Sequence, residues 1–130
     1  MHELTTHVDL PLADTAPAVA RAVLAATLPA WGFTDQPWLD TACLVVTELV
    51  SNAVRHGGGR LVLRLHAQAA HVTVSVADGS PVVPRPRPDP DGDGGRGLYI
   101  IEALSQRWGV EDRQGGKRVW VLLQPHPAPP

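Results

Sequence analysis

Residues 47–59 read Thr-Glu-Leu-Val-Ser-Asn-Ala-Val-Arg-His-Gly-Gly-Gly, which is typical of the end of an amphipathic helix followed by a glycine stop. Glu48 and Asn52 are four residues apart, so they lie one turn from each other on one face, and Arg55 and His56 extend this polar stripe. Such a face could offer a carboxylate and a carboxamide to a hydrated cation and a water, or it could simply be solvated. The apolar residues recur at helical spacing and predict one buried stripe: Leu39, Ala42, Cys43, Val46, Leu49, Val50 and Ala53.

Length and composition predict one globular domain. The chain has 130 residues, of which 44% are hydrophobic and 18% charged, so it can bury one core. We expect a single domain over residues 1–124 and a disordered tail over 125–130. The net charge of -2 gives no electrostatic case for nucleic acid or an anionic membrane as partner. A basic, apolar leader and an apolar run of about 20 residues are both missing, so we expect a cytoplasmic protein.

The first half of the chain predicts a strand and two helices. Residues 4–10 alternate in polarity, which indicates an opening strand. A helix then begins at Asp14 or Thr15, and the helix that carries Asn52 begins at Thr34 or Asp35. The residues of the first helix that we expect to face the core are Val19, Val23, Ala26 and Leu28.

The second half predicts a hairpin, a helix and two further strands. Residues 61–65 and 72–76 alternate, with the hairpin turn at residues 68–70. A third helix opens at residues 94–97, and strands follow at 108–111 and 118–123. Together these elements predict an α+β fold: a two-layer sandwich with a mixed, mostly antiparallel sheet of about five strands and three helices on one face.

Residues 81–97 carry several partial motifs. Gly92-x-Gly94-x-x-Gly97 matches the dinucleotide-binding pattern, but a proline-rich stretch precedes it instead of a strand. The acidic run Asp89-x-Asp91-x-Asp93 matches half of a calcium loop, whose twelfth position would be an isoleucine. The general feature that remains is a glycine loop that leads into a helix N-terminus, which can bind an anion such as phosphate. A flexible loop without a ligand is the alternative.

Asp78 ends an apolar strand, so we expect its carboxylate to be partly desolvated and to need a hydrogen-bond donor. That donor is either the turn at Gly79-Ser80 or an amino group of a ligand.

Taken together, in this order and spacing, three motifs resemble the ATP-binding domain of the GHKL superfamily, and most closely its small stand-alone branch of anti-sigma-factor serine/threonine kinases. The resemblance covers residues 15–123. Residues 48–56 are similar to the asparagine-containing helix motif, residues 76–81 to the aspartate box, and residues 95–101 to the second glycine box. The resemblance implies a Bergerat-type, histidine-kinase-like ATPase fold.

The resemblance also implies roles for individual residues. Asn52 would ligate Mg²⁺, Glu48 would be the general base, and Asp78 would accept the amino group of adenine and so select ATP over GTP. Residues 81–94 would form a lid over the nucleotide. The remaining nucleotide contacts that the resemblance implies are Ala53, Arg55, Ser80, Gly95, Arg96, Gly97 and Leu98.

The chain departs from the branch near its last strand. The branch often has Gly-Lys-Thr there, with the hydroxyl close to the adenine-binding aspartate, whereas Arg118 replaces the threonine here. We therefore expect a weaker orienting hydrogen bond at Asp78.

Three functions compete at this stage. The first is an ATP-dependent protein serine/threonine kinase of the anti-sigma type, for which the resemblance implies sigma factors and phosphorylatable antagonist domains as partners and permits a homodimer. The second is a non-catalytic regulatory module that binds a protein partner, in either an ATP-dependent or an ATP-independent way. The third is a calcium-binding regulatory domain, which rests only on the acidic run at residues 89–94.

Overall fold

A computed structural model describes residues 3–80, 95–113 and 115–127 of the chain, with only the backbone of residues 95–97. Three helices and five strands follow one another in the order β, α, α, β, β, α, β, β. Their bounds are β1 Glu3–Leu10, α1 Ala16–Ala30, α2 Gln36–His56, β2 Leu61–Gln68, β3 His71–Asp78, α3 Gly95–Leu104, β4 Ser105–Arg113 and β5 Gly116–Leu123.

The five strands form one sheet in the order β1-β2-β3-β5-β4, and every neighbouring pair of these strands is antiparallel. The helices form the second layer: α2 packs against α1, α3 and β3. The predicted α+β sandwich is therefore confirmed. Consecutive residues of a strand point to opposite faces, so each strand gives one set of side chains to the helical layer and the other to the outer face.

Helix α2 is fixed at both ends by local hydrogen bonds. The carboxylate of Asp35 accepts from the backbone N–H of Trp38 at 3.1 Å, as an N-cap does. The helix ends at His56, and the N–H of Gly57 donates to the carbonyl of Ala53 at 2.8 Å. The predicted start at Asp35 and the predicted glycine stop are both confirmed.

Helix α1 faces the core with a different stripe from the predicted one. Val19 is 37% exposed and Ala26 is exposed, so their assignment to the core was wrong. The buried residues repeat at intervals of four and include two alanines, whose small side chains carry little signal of burial in a sequence. They are Ala16, Ala20, Leu24 and Leu28.

His126 is 5% exposed, although we expected it to face solvent in a disordered tail. The N–H of Asp35 donates to His126 Nε2 at 3.1 Å, and the His126 ring lies edge-on to Phe33 and Trp38, with centroids 5.3 and 5.0 Å away. The indole of Trp38 donates to the carbonyl of Gln124 at 2.7 Å. This part of the chain therefore packs on the start of α2, because ring contacts and two hydrogen bonds offset the loss of its freedom.

No helix in the described part of the chain has both the length and the apolar character needed to cross a bilayer.

Candidate functional site

The C-terminal end of α2 and the end of β3 approach each other closely, and glycines lie at the contact. The N–H of Gly79 donates to the carbonyl of Gly58 at 2.6 Å. A Cβ added to Gly57 would collide with the carbonyl oxygen of Ala53 and lie 2.9 Å from the carboxylate of Asp78. The glycine at position 57 thus permits Asp78 to approach the helix end, because any side chain would fill that space. The glycine stop both ends the helix and positions the carboxylate beside it.

A pocket lies between α2, the sheet and α3. Its walls come from four elements: Leu49, Asn52, Ala53 and His56 of α2, Val76 and Asp78 of β3, Leu98 of α3, and Lys117 and Val119 of β5. Four of the predicted site residues, Asn52, Ala53, Asp78 and Leu98, therefore lie in one pocket. Because Leu98 lies in the first turn of α3, the N-terminus of that helix is also placed at the pocket.

The carboxylate of Asp78 is held by the turn that follows it and by a lysine. Its Oδ1 accepts from the N–H of Ser80 at 2.7 Å and from Lys117 Nζ at 3.1 Å. Its Oδ2 also lies 3.1 Å from Lys117 Nζ, but outside hydrogen-bonding geometry, so this contact is an ion pair only. Within the described part of the chain, Oδ2 is thus a buried acceptor without a hydrogen bond.

Lys117 is a site residue that our sequence reasoning missed. Its side chain is 3% exposed, and it lies directly across from Asp78 in the β3–β5 register. It also donates to the carbonyl of Ser80 at 3.1 Å. The sequence did contain a signal for this position. Lys117 is on the same face of β5 as Val119 and Val121, which are buried, so its side chain points into the core.

Arg118, which replaces the threonine of the motif, does not lie beside Asp78. It pairs across the sheet with Ala77, one position along, and its side chain is on the outer face. The weaker orienting hydrogen bond at Asp78, which we expected from the loss of the threonine hydroxyl, stays a prediction. A shift of one residue along a strand changes the face of the sheet, and the sequence motif alone did not fix that register.

Asn52 brings into the pocket a second polar atom that forms no hydrogen bond in the described chain. The residue is 7% exposed, and its Nδ2 has no hydrogen-bond partner among the described residues. Buried polar groups are paired in most native structures, by protein, water or ligand. Asn52 and Asp78 line the same pocket, and each has one buried polar atom, Nδ2 and Oδ2, that forms no hydrogen bond within the described chain.

The other predicted site residues lie outside the lining of this pocket. Glu48 is half-buried, one turn before Asn52, and Arg55 is exposed. Ser80 contributes its backbone N–H and carbonyl to Asp78 and Lys117. The backbone of Gly95, Arg96 and Gly97 forms the start of α3. The predicted lid over residues 81–94, with its three aspartates, lies outside the described residues.

The described residues include no cluster of three or more His, Cys, Asp or Glu side chains that could hold a metal ion. Asn52, in the wall of the pocket, supplies an amide oxygen, a ligand that Mg²⁺ accepts beside ligand oxygens and water.

Comparison with known proteins agrees with this geometry. Residues 10–123 match the sequence profile of the histidine kinase-like ATPase domain, so the chain belongs to that family. The predicted resemblance to the GHKL superfamily is confirmed by this match. As a member of the family, the chain is a nucleotide-binding domain of the ATPase type. A search of curated proteins returned no match.

Two of the solved structures that match this chain illustrate the shared fold. One contains the RsbU and RsbW domains of Rv1364c from Mycobacterium tuberculosis, with a TM-score of 0.69 and 23% identity over 94% of this chain. This chain spans 32% of that longer one. The other is the Acinetobacter baumannii histidine kinase AdeS, with a TM-score of 0.52 and 15% identity, covering 95% of this chain and 68% of that one.

Proposed function

We propose that this chain is an ATP-binding regulatory protein of the anti-sigma-factor type, which transfers the γ-phosphate of ATP to a Ser or Thr hydroxyl of a partner protein. One observation carries the proposal: Asn52 and Asp78, from different elements, line one pocket with buried polar atoms that lack hydrogen bonds within the described chain. Membership of the family and the fold shared with the structure that contains the RsbW domain support it.

The proposal assigns the base of the nucleotide to the buried end of the pocket. Asp78 Oδ2 is the acceptor left for the amino group of adenine, whereas guanine would present a carbonyl there and leave two acceptors facing each other. Ala53 and Leu98 would contact the base, since both are buried and apolar. The N-terminus of α3, at Gly95–Gly97, would hold the phosphates through its free N–H groups.

Asn52 would hold a Mg²⁺ ion through its amide oxygen, since the residue is buried and lines the pocket. Bound there, the ion would neutralise phosphate charge. Glu48 lies one turn earlier on α2 and is only half-buried, so a partner's hydroxyl can reach it. In the transfer, the hydroxyl oxygen bonds to the γ-phosphorus, its proton passes to the Glu48 carboxylate, and ADP leaves.

Calorimetry with ATP, GTP and ADP, each with and without Mg²⁺, tests the nucleotide assignment. We expect ATP to bind more tightly than GTP, and Asp78→Asn to lower ATP affinity at least tenfold, because an amide N–H would then face the adenine amino group. Asp9→Asn is the matched control, since Asp9 is on the outer surface and its variant should bind ATP as the parent does. Equal binding by Asp78→Asn and the parent would contradict the assignment.

Labelled ATP, Mg²⁺ and a panel of candidate acceptor proteins test the transfer. Glu48→Gln should abolish transfer and leave ATP affinity within about twofold, since Glu48 does not line the pocket. Loss of both binding and transfer in this variant would instead place Glu48 in nucleotide binding.

A second function, a protein-binding module without catalysis, is favoured by the Lys117–Asp78 pair. A buried ammonium already neutralises the carboxylate that the adenine amino group would approach. If ATP fails to bind at millimolar concentration while Lys117→Thr binds it, the wild-type pocket is closed by its own lysine and the module is the better description.

A further inference from the structure

The face of the sheet opposite the helices carries a concentration of arginine residues. Arg64 of β2, Arg113 of β4 and Arg118 of β5 meet at one depression that they line together with the end of β3. We call these three residues the arginine cluster. Strands β2 and β5 are separated only by β3, so their side chains rise from the sheet roughly 10 Å apart and long guanidinium groups can converge.

The described chain balances this charge only in part. Arg60, on the same face, is paired with Asp9: its Nε and Nη2 donate to the two carboxylate oxygens at 2.6 and 2.9 Å. Within the described residues, Arg64 and Arg113 form no ion pair or hydrogen bond through their side chains. Glu111 is the nearest carboxylate to Arg118, at 3.9 Å from Nη1, which is beyond hydrogen-bonding distance.

Arg118 is partly buried and lies close to other positive charges. Its side chain is 22% exposed, and its Nε is buried without a hydrogen-bond partner in the described chain. Burial lowers the pKa of Arg118, and the charges of Arg113 and Arg64 lower it further, against the opposing effect of Glu111. A buried N–H without an acceptor and a positive charge beside other positive charges are both unfavourable. A bound anion would accept the hydrogen bond and offset the repulsion.

The surface beside the cluster has a shape that could receive a chain segment. A second depression adjoins the first, between Arg64 and Arg118, and its floor is made of the small residues Thr73 and Ser75. Trp120 forms one wall, and its indole covers Gly109, where a Cβ would come within 2.7 Å of the ring. The result is a trough across β2, β3 and β5 with guanidinium groups on both sides.

We propose that the arginine cluster on the outer face of the sheet binds a carboxylate-rich segment of a partner protein. Carboxylates match guanidinium groups in a two-point geometry, as the Arg60–Asp9 pair already shows on this face. Nucleic acid is a poor fit, because its binding uses many cationic contacts along the phosphate backbone, whereas this patch offers the three arginines of the cluster, which suit a short segment. The cluster lies on the face of the sheet opposite Asn52, and the end of β3 at Asp78 borders both sites. We expect the cluster to bind its ligand without nucleotide.

The test measures binding of a labelled ten-residue glutamate-rich peptide by fluorescence anisotropy, at low salt and without nucleotide. The full chain should bind it saturably, and a peptide with glutamine in place of glutamate should not bind. Arg118→Gln and Arg64→Gln should each weaken binding at least tenfold, and Arg118→Lys should weaken it less because it keeps the charge. Arg21→Gln removes the same charge from helix α1 and should change affinity less than twofold.

Three results would overturn the proposal. Equal losses in Arg21→Gln and Arg118→Gln would show that only net charge matters. Saturable binding of inorganic phosphate at matched ionic strength, without saturable binding of the peptide, would make this a phosphate site. Self-association of the parent chain that disappears in Arg64→Gln, measured by sedimentation, would make this face a contact between copies. Arg64 is partly exposed and unpaired, so its variant tests the site even if Arg118→Gln fails to fold.

Discussion

Lys117 and Asp78 lie opposite each other on β5 and β3 and form an ion pair whose two side chains are 3% and 1% exposed. The lysine reaches this position because β5 approaches β3 closely: a Cβ at Gly116 would collide with the carbonyl oxygen of Asp78. The pair therefore links the fold to the pocket. It fixes the end of β3, and it also sets the charge that a ligand meets at the buried end of the site.

Replacing Lys117 with methionine should destabilise the fold by about 3 kcal/mol, because it leaves a buried carboxylate without its counter-charge. The change is measured by urea denaturation followed through tryptophan fluorescence. The double variant Asp78→Asn, Lys117→Met should recover most of the loss, because neither partner is then a buried charge. If the double variant is as unstable as Lys117→Met alone, the lysine stabilises the fold by packing rather than by pairing.

Gly57 and Gly58 offer a matched pair of substitutions next to the site. Gly57→Ala should cost about 2 kcal/mol, since its Cβ would overlap the Ala53 carbonyl and press on the Asp78 carboxylate. Gly58→Ala should change stability by less than about 0.5 kcal/mol, because its Cβ would meet only Ser80 Cβ at 3.9 Å. Denaturation gives both values, and calorimetry with ATP should show a loss of affinity for Gly57→Ala alone. Equal effects would mean that α2 and β3 do not need this close approach.

The fold followed from the sequence because its signals are local. Alternation marked the strands, the Asp35 cap and the glycine stop marked the ends of α2, and antiparallel hairpins left few ways to order the sheet. In helix α1 the local signal misled, because two buried alanines look no different from exposed ones. Hydrophobicity alone placed Val19 in the core, although it lies outside the stripe that Leu24 and Leu28 define.

The site was only partly predictable because its geometry depends on register and on distant residues. The motifs identified Asn52 and Asp78 by type and order. The motif pointed to position 118 as the neighbour of Asp78, whereas the pairing of β3 with β5 puts Lys117 there. His126 had no local signal at all, since its partner Asp35 is 91 residues away.

The Arg60–Asp9 pair should give the fold a small dependence on acid. Hydrogen bonding to Arg60 lowers the pKa of the Asp9 carboxyl below its ordinary 3.8. A carboxyl whose pKa is lower in the folded chain adds stability above its unfolded pKa, and this contribution disappears as pH falls through the folded value. We expect Asp9→Asn to be slightly less stable than the parent at pH 7, and we expect this difference to shrink as pH falls below 3.8. The effect should be small, because both side chains are exposed to solvent. An unchanged difference at acid pH, in parallel denaturation curves, would contradict this account.

His126→Ala should destabilise the fold by roughly 2 kcal/mol, since the variant loses the ring contacts with Phe33 and Trp38 and leaves the N–H of Asp35 without its acceptor. The loss of the His126 ring can be followed by Trp38 fluorescence. The Trp38 indole lies against that ring, so its fluorescence should change in the folded variant. His71→Ala is the control: His71 is exposed at the start of β3, so its loss should be nearly neutral. The comparison of the two variants tests whether residues 124–126 pack on the start of α2 or are disordered. If the two variants unfold at the same urea concentration, residues 124–126 do not stabilise the start of α2, and the disordered tail expected from the sequence is the better description.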